Sequence, residues 1–291
     1  MSKGIAIILA GYIGWGLFPL YWALLTHVAP GEVLLHRMLW SVPVLAALVL
    51  FSQRRKVLFM QALKNPSELG KLALSSLLIC FNWGIYIWAV TNHRVVEASM
   101  GYFLTPLLNV LAGVIVFRET LSSINKLAIL FAAIGVAWYI LSSNLFPWVG
   151  LTVGASFAAY GLMRKQMETT AVAGLFVEIL ILLPFTLALI GWLQFNQQAS
   201  FLNIDWNTDL LLIIGGPITI LPLVLFTTGT RLLPMTTVGI LFYVTPTLQF
   251  LSGVIILGET FDLHKLIGFI GIWIGLGIFS YGLLKKRTAP A

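Results

Sequence analysis

Apolar residues run along this chain in long blocks that lack the two-residue alternation of a strand and leave no broad polar helix face. Reading those blocks between charged or Pro/Asn-rich breaks predicts ten helices, at 4 to 25, 31 to 51, 72 to 91, 96 to 117, 124 to 142, 147 to 164, 171 to 191, 209 to 229, 236 to 257 and 264 to 284. A helix needs about 20 apolar residues to cross ~30 Å of hydrocarbon, so ten crossings use about 200 residues and leave short connections. A β-barrel is excluded, because the blocks are far longer than a barrel strand. The first block follows Lys3 as a signal peptide would, but its length, its Trp15, Pro19 and Trp22, and the nine blocks after it read as a retained helix.

Composition changes the picture only by naming the solvent. With 59% apolar and 9% charged residues over 291 positions, and a mean hydropathy of +0.97, the chain has too little polar surface for a water-soluble globule. Cys80 is the one cysteine, so no intramolecular disulfide framework or Cys-rich metal site is available, and no cofactor or metal is expected. With the N-terminus inside, 14 of the 17 Lys and Arg fall on the cytoplasmic side. Arg94 and Lys265 fall outside, and Arg37 lies within a span. Glu32, Glu97, Asp205, Asp209, Glu259 and Asp262 gather on the outer side, so the net charge of +7 describes membrane topology and gives no nucleic-acid partner. Both termini are thus expected in the cytoplasm. The stretch Ser52–Lys71 mixes five cations with Val57, Leu58, Phe59, Met60, Ala62 and Leu63. It reads either as a short helix on an anionic inner leaflet, with membrane lipids as partners, or as a solvated loop.

An internal repeat organises the blocks. Thr105, Pro106, Gly113, Glu119 and Thr120 recur as Thr245, Pro246, Gly253, Glu259 and Thr260, each 140 residues later, and a Lys-Leu pair follows at 126 and at 265. Pro43 and Pro184 repeat at an offset of 141. The chain therefore divides into five-helix repeats at 1–142 and 147–287. An odd number of spans separates the copies, which predicts opposite orientations in the bilayer, with Glu119 inside and Glu259 outside.

Candidate chemistry sits in the middle of the spans. Pro106 and Pro246 free the carbonyls of Tyr102 and Phe242, which need a polar answer in hydrocarbon. Thr105 with Asn109, and Thr245 with Gln249, each share a helix face beside those prolines. They read either as interhelical glue or, taken as a symmetric set with Tyr102, as the wall of a cavity. Trp15, Phe18 and Trp22 fall on one face of the first span, and Asn82 and Tyr86 share a face of the third, with Trp83 beside them. Aromatic walls with sparse amides suit a partly apolar small molecule; the alternative is packing or interfacial anchoring. Tyr160 and Tyr243 join the candidate set. His36, Arg37 and Glu178 are intramembrane polar or charged groups, with Arg37 and Glu178 each six residues before a repeated proline. A direct Arg37–Glu178 pair has to close a vertical gap between opposite ends of the bilayer. The other reading has Arg37 snorkel outward or meet an anionic group of the substrate and gives Glu178 a proton-carrying role, with His36 as a relay or a structural histidine. Gly268, Gly271, Gly275 and Gly282, opposite Ala128, Ala132 and Gly135 in the equivalent span, read as a dimer seam or as packing within one chain.

The Pro106–Glu119 and Pro246–Glu259 blocks, the two five-helix halves and the opening GYIGWGLFPLYW resemble the drug/metabolite transporter superfamily, EamA type, in its RarD-like (chloramphenicol-sensitivity protein) branch, over nearly the whole chain. The resemblance implies a bacterial inner-membrane secondary transporter of small metabolites or drug-like molecules, working by alternating access, as a monomer or homodimer, with proton coupling and a chloramphenicol link as further expectations. It implies a central cavity formed by spans one, three, four, six, eight and nine, and no catalytic residues. The halves differ where Arg94 to Thr105 is three residues shorter than Arg231 to Thr245. A membrane-embedded enzyme acting on lipid would want clustered acid, base or metal-ligating groups, whereas the four histidines are scattered; a passive channel would want a charge ring or carbonyl filter.

Overall fold

The computed structural model describes residues 2–91, 95–141, 148–256 and 263–288, and these are helical with no strand among them. The helices are α1 (Ser2–Gly16), α2 (Phe18–Trp22), α3 (Pro30–Leu50), α4 (Gln53–Lys64), α5 (Pro66–Thr91), α6 (Val95–Ile115), α7 (Ser123–Leu141), α8 (Trp148–Gln166), α9 (Ala171–Phe195), α10 (Trp206–Leu232), α11 (Met235–Phe242), α12 (Val244–Leu251) and α13 (Leu263–Thr288). Among the described residues six segments are long and apolar enough to cross a membrane, namely Lys3–Leu25, Pro30–Leu50, Pro66–Ala89, Ala171–Phe195, Trp206–Leu232 and Met235–Ile256, and shorter apolar helices accompany them. The chain is a multi-pass membrane protein. Leu74, Leu77, Phe81 and Trp88 on α5 are exposed at helical spacing while Ser75, Ser76 and Asn82 on the same helix are buried, an arrangement that fits lipid outside and polar groups inside.

Each predicted block falls on a helix or a broken pair of helices. The stretch from Ser52 forms the additional helix α4, and α5 starts at Pro66, six residues before the apolar block, because Asn65 caps it by accepting hydrogen bonds from the N–H groups of Ser67 (3.1 Å) and Glu68 (3.3 Å). The two repeated prolines act differently. α6 continues through Pro106, whereas the equivalent region breaks at Tyr243 between α11 and α12 and then relaxes into a π-helical turn at Ser252–Ile256. Glu259 and Thr260, and with them the second copy's acidic ending, lie outside the described residues.

Close helix approach comes from small residues. A Cβ on Gly275 would lie 2.6 Å from the Ala128 carbonyl oxygen, and one on Gly282 2.6 Å from Ile124, so the glycine face of α13 is occupied by α7 of the same chain. The reading as packing within one chain describes this seam. α3 packs on α9 and α10, α5 on α8 and α9, α6 on α8 and α11, and α1 on α10 and α12. These contacts leave α1, α2, α3, α5, α6, α8, α11 and α12 around one central space.

Candidate functional site

A small internal cavity of about 40 Å³ lies where those helices meet. Trp15, Phe157 and Phe242 form one wall, with Trp15 edge-on to Phe157 (5.3 Å between centroids) and Phe157 against Phe242 (5.5 Å). Tyr86 and Tyr102, 5.5 Å apart, form another wall, and Phe18 stands edge-on to Trp22 at 5.7 Å. Above them the Arg37 guanidinium lies between two indoles, 4.6 Å from Trp22 and 4.7 Å from Trp83. Asn82, Thr245 and Gln249 complete the lining. A volume of this size holds only a few waters at ~10–15 Å³ each, against roughly 300 Å³ or more for a drug-sized ligand, so the conformation described is a closed one.

Eight of the twelve sequence-predicted binding residues reach this cavity: Trp15, Phe18, Trp22, Asn82, Tyr86, Tyr102, Thr245 and Gln249. Thr105, Asn109, Tyr160 and Tyr243 do not line it. Thr105 donates to the Gly154 carbonyl on α8 (3.4 Å), while Thr245 donates to the Tyr12 carbonyl on α1 (2.9 Å), so equivalent threonines each bond to a carbonyl of the opposite half. Gln249 likewise donates to the Trp15 carbonyl at 3.2 Å. Asn109, one methylene shorter, sits under Gly239 with both amide atoms buried and unpaired. Tyr160 donates to Glu178, and Tyr243 packs with Phe103, Val136 and Ile272 beside the helix break. Trp83, read beside Asn82 and Tyr86 in the sequence, also lines the cavity, as do Phe157 and Phe242, which lie in apolar runs where every face looks alike. Asn82 holds α5 to α8 by donating to the Val153 carbonyl (2.7 Å) and Ser156 (3.0 Å), and its Oδ1 is left buried without a partner.

The intramembrane charges separate. Glu178 does not meet Arg37. Its carboxylate accepts from the hydroxyls of Ser75 and Tyr160 and pairs with Arg164 at 3.4 Å, and both Glu178 and Arg164 are fully buried. Arg164 reads in sequence as a cation at the cytoplasmic end of a span; a four-residue connection at 167–170 returns the chain into α9 and brings Glu178 within its reach. His36 accepts from the Trp40 indole (3.1 Å), lies tilted against Phe201 and is 3.9 Å from Glu32.

Both ends of the bundle are closed by bonds between its two halves. At one end Glu68 accepts across the halves from the Thr169 N–H (3.3 Å) and hydroxyl (2.8 Å), and Arg231, within the second half, braces the same connection by donating to the carbonyls of Met167 and Thr169. Glu119 accepts there from the N–H groups of Met235 (2.6 Å) and Thr236 (2.9 Å), capping α11, from the Thr236 hydroxyl (2.7 Å) and, at 3.5 Å, from Lys165. Burial opposes the Glu119 charge, but these bonds hold its carboxyl below the usual range. Its position follows from a helix stop: Arg118 takes a left-handed φ of 53° and the Glu119 N–H bonds back to the Gly113 carbonyl (3.0 Å). A Cβ on Gly113 would sit 2.8 Å from Glu119 Oε2, which explains why the repeated motif joins a glycine to a glutamate six residues on. At the other end Glu32 accepts from the N–H groups of Ser200 and Phe201 (2.7 and 2.9 Å), His27 meets Thr208 (2.9 Å), and Tyr21 donates to the Leu211 carbonyl.

Comparison with known proteins agrees with this architecture. The model of the EamA-like transporter family matches twice, over residues 2–141 and 147–281. An uncharacterized transporter of Pseudomonas aeruginosa is 38% identical, with 100% of this chain and 97% of the relative covered. The chloramphenicol-sensitive protein RarD of the same species is 33% identical over 99% of this chain and 97% of its own length. A solved crystal structure aligns with a TM-score of 0.69 at 16% identity, covering 99% of this chain and 100% of that one, and so shares the fold. Matched along almost its whole length by the family model and by RarD, the chain belongs to the EamA-like transporter family, in its RarD-like branch.

Proposed function

We propose that this chain is a secondary transporter of small, partly apolar molecules in the bacterial inner membrane. Ten spans, arranged as inverted five-helix repeats at 1–142 and 147–287, rock about the aromatic pocket, with both termini in the cytoplasm. The observation that carries the reading is a pocket closed at both ends by bonds between the halves, so that releasing either set opens it to one side only. The bonds of the equivalent threonines Thr105 and Thr245 to the opposite half, the twofold match to the family and the distribution of Lys and Arg support the repeat and its orientation. Relatives named as transporters favour this over an enzyme. The RarD relative's name makes chloramphenicol one compound to try.

The test is uptake into proteoliposomes with a panel of metabolites and antibiotics, with and without a pH gradient, alongside tags at Glu119 and Glu259. The expected result is saturable uptake and tags on opposite sides of the bilayer; no uptake by folded protein, or tags on one side, rejects the reading. Glu178 is the candidate proton carrier, and release from Arg164 is the step that would free it. Uptake indifferent to the gradient removes that role.

A further inference from the structure

We infer that the pocket selects organic anions, with the Arg37 guanidinium receiving a carboxylate or phosphate oxygen while the aromatic walls take a flat apolar body. The inference rests on the transport reading above and adds the charge class of the substrate.

Arg37 is only 5% exposed and lines the cavity from α3. Its Nε donates to Thr219 Oγ1 at 3.0 Å, and the Thr219 hydroxyl in turn donates to the Gly215 carbonyl (2.7 Å). Its terminal nitrogens make no hydrogen bond among the described residues, and no described carboxylate lies within 4 Å of it. The acids on this side of the bundle are taken, Glu32 by the N–H groups of Ser200 and Phe201 and Asp209 by that of Leu202. The guanidinium carbon lies over the indoles of Trp22 and Trp83, 4.6 and 4.7 Å from their centroids. Tyr102 lines the same cavity. Buried ionic groups in proteins are paired or bind a ligand, and a guanidinium fork matches the two oxygens of a carboxylate. A buried cation that keeps its terminal donors at the edge of an aromatic pocket is therefore a recognition group awaiting its anion.

The experiment uses isosteric probe pairs on the full-length protein in detergent: indole-3-acetate against indole-3-acetamide, and phenylacetate against phenylacetamide, with chloramphenicol as a further neutral aromatic. Binding is read by quenching of tryptophan fluorescence, and folding of every variant is checked by size-exclusion and thermal unfolding. The expected result is that each carboxylate binds at least tenfold more tightly than its amide, that Arg37→Gln abolishes this preference while amide affinity stays within twofold, and that Arg37→Lys keeps part of it. Equal affinity for acid and amide in the wild type, or an acid preference that survives in Arg37→Gln, overturns the inference and leaves the transport reading in place. Binding of neither class by folded wild-type protein overturns the pocket itself and both readings with it.

Discussion

Arg37 and Glu178 occupy equivalent places in the two halves, 141 residues apart and each six residues before a proline inside its helix, yet their surroundings are opposite. Glu178 is saturated by Ser75, Tyr160 and Arg164. The Arg37 guanidinium has, among the described residues, one hydrogen bond, to Thr219, and two indole neighbours. The same placement thus serves to lock one half and to leave a cation available in the other. Repeat symmetry fixes where the backbone puts a side chain but leaves its chemistry free, and that freedom gives the pocket a charged pole on one side only.

The largest expected effect comes from the saturated charge. Arg164→Ala leaves the Glu178 carboxylate buried without its ion-pair partner, which should cost about 3 to 5 kcal/mol. Thermal unfolding in detergent should register this as a large drop in midpoint or in folded yield. The double variant Arg164→Ala, Glu178→Leu should recover most of the loss, and failure to recover would mean that the two side chains do not act as a pair.

Arg37→Gln should behave in the opposite manner. A charge at this depth is unfavourable by roughly 2.5 to 3.5 kcal/mol before its partners are counted, and here those partners are few. Its unfolding midpoint is expected to stay within a few degrees of wild type, or to rise, while transport falls at least tenfold, about 1.4 kcal/mol of binding free energy. Equal destabilisation by Arg37→Gln and Arg164→Ala would erase the contrast.

A smaller step separates Gln249 from Asn109. Gln249 lines the pocket and reaches the Trp15 carbonyl, while Asn109, equivalent but shorter, is buried with its amide unpaired and lies outside the pocket wall. Gln249→Leu should lose about 1 kcal/mol of stability and impair transport; Asn109→Leu should be neutral or stabilising by a similar amount, with transport retained. Transport loss in Asn109→Leu with unchanged folding would place that amide in the substrate's path during the cycle.

These pairs mark where the sequence was legible. Helix positions were, because a 20-residue apolar block leaves the backbone no alternative in lipid, and so were Trp15, Phe18 and Trp22, which mark one face by size alone. The partner of Glu178 was not. Arg164 ends an apolar run, as any cytoplasmic flank residue does, and only the tight return into α9 turns it inward. Phe157 and Phe242 were hidden for a related reason: in helices apolar all round, periodicity names no face. Asn109 and Gln249 look interchangeable in the repeat, and the difference of one methylene shows only against a carbonyl in three dimensions.

Glu119 gives the smallest effect and tests whether a saturated charge outside the hydrocarbon follows the same logic as Glu178. Burial works against its charge, but the N–H groups of Met235 and Thr236, the Thr236 hydroxyl and Lys165 hold its carboxyl below its ordinary value. A carboxyl lowered on folding adds stability that is fully present above its unfolded pKa, about 4.3, and fades as the pH falls through the folded value. Glu119→Gln should therefore lower the unfolding midpoint at pH 7, by about 1 kcal/mol as for the loss of a helix cap, and the gap to wild type should close as the pH drops below about 4. A gap that is independent of pH would assign the loss to packing against Gly113 instead of to charge.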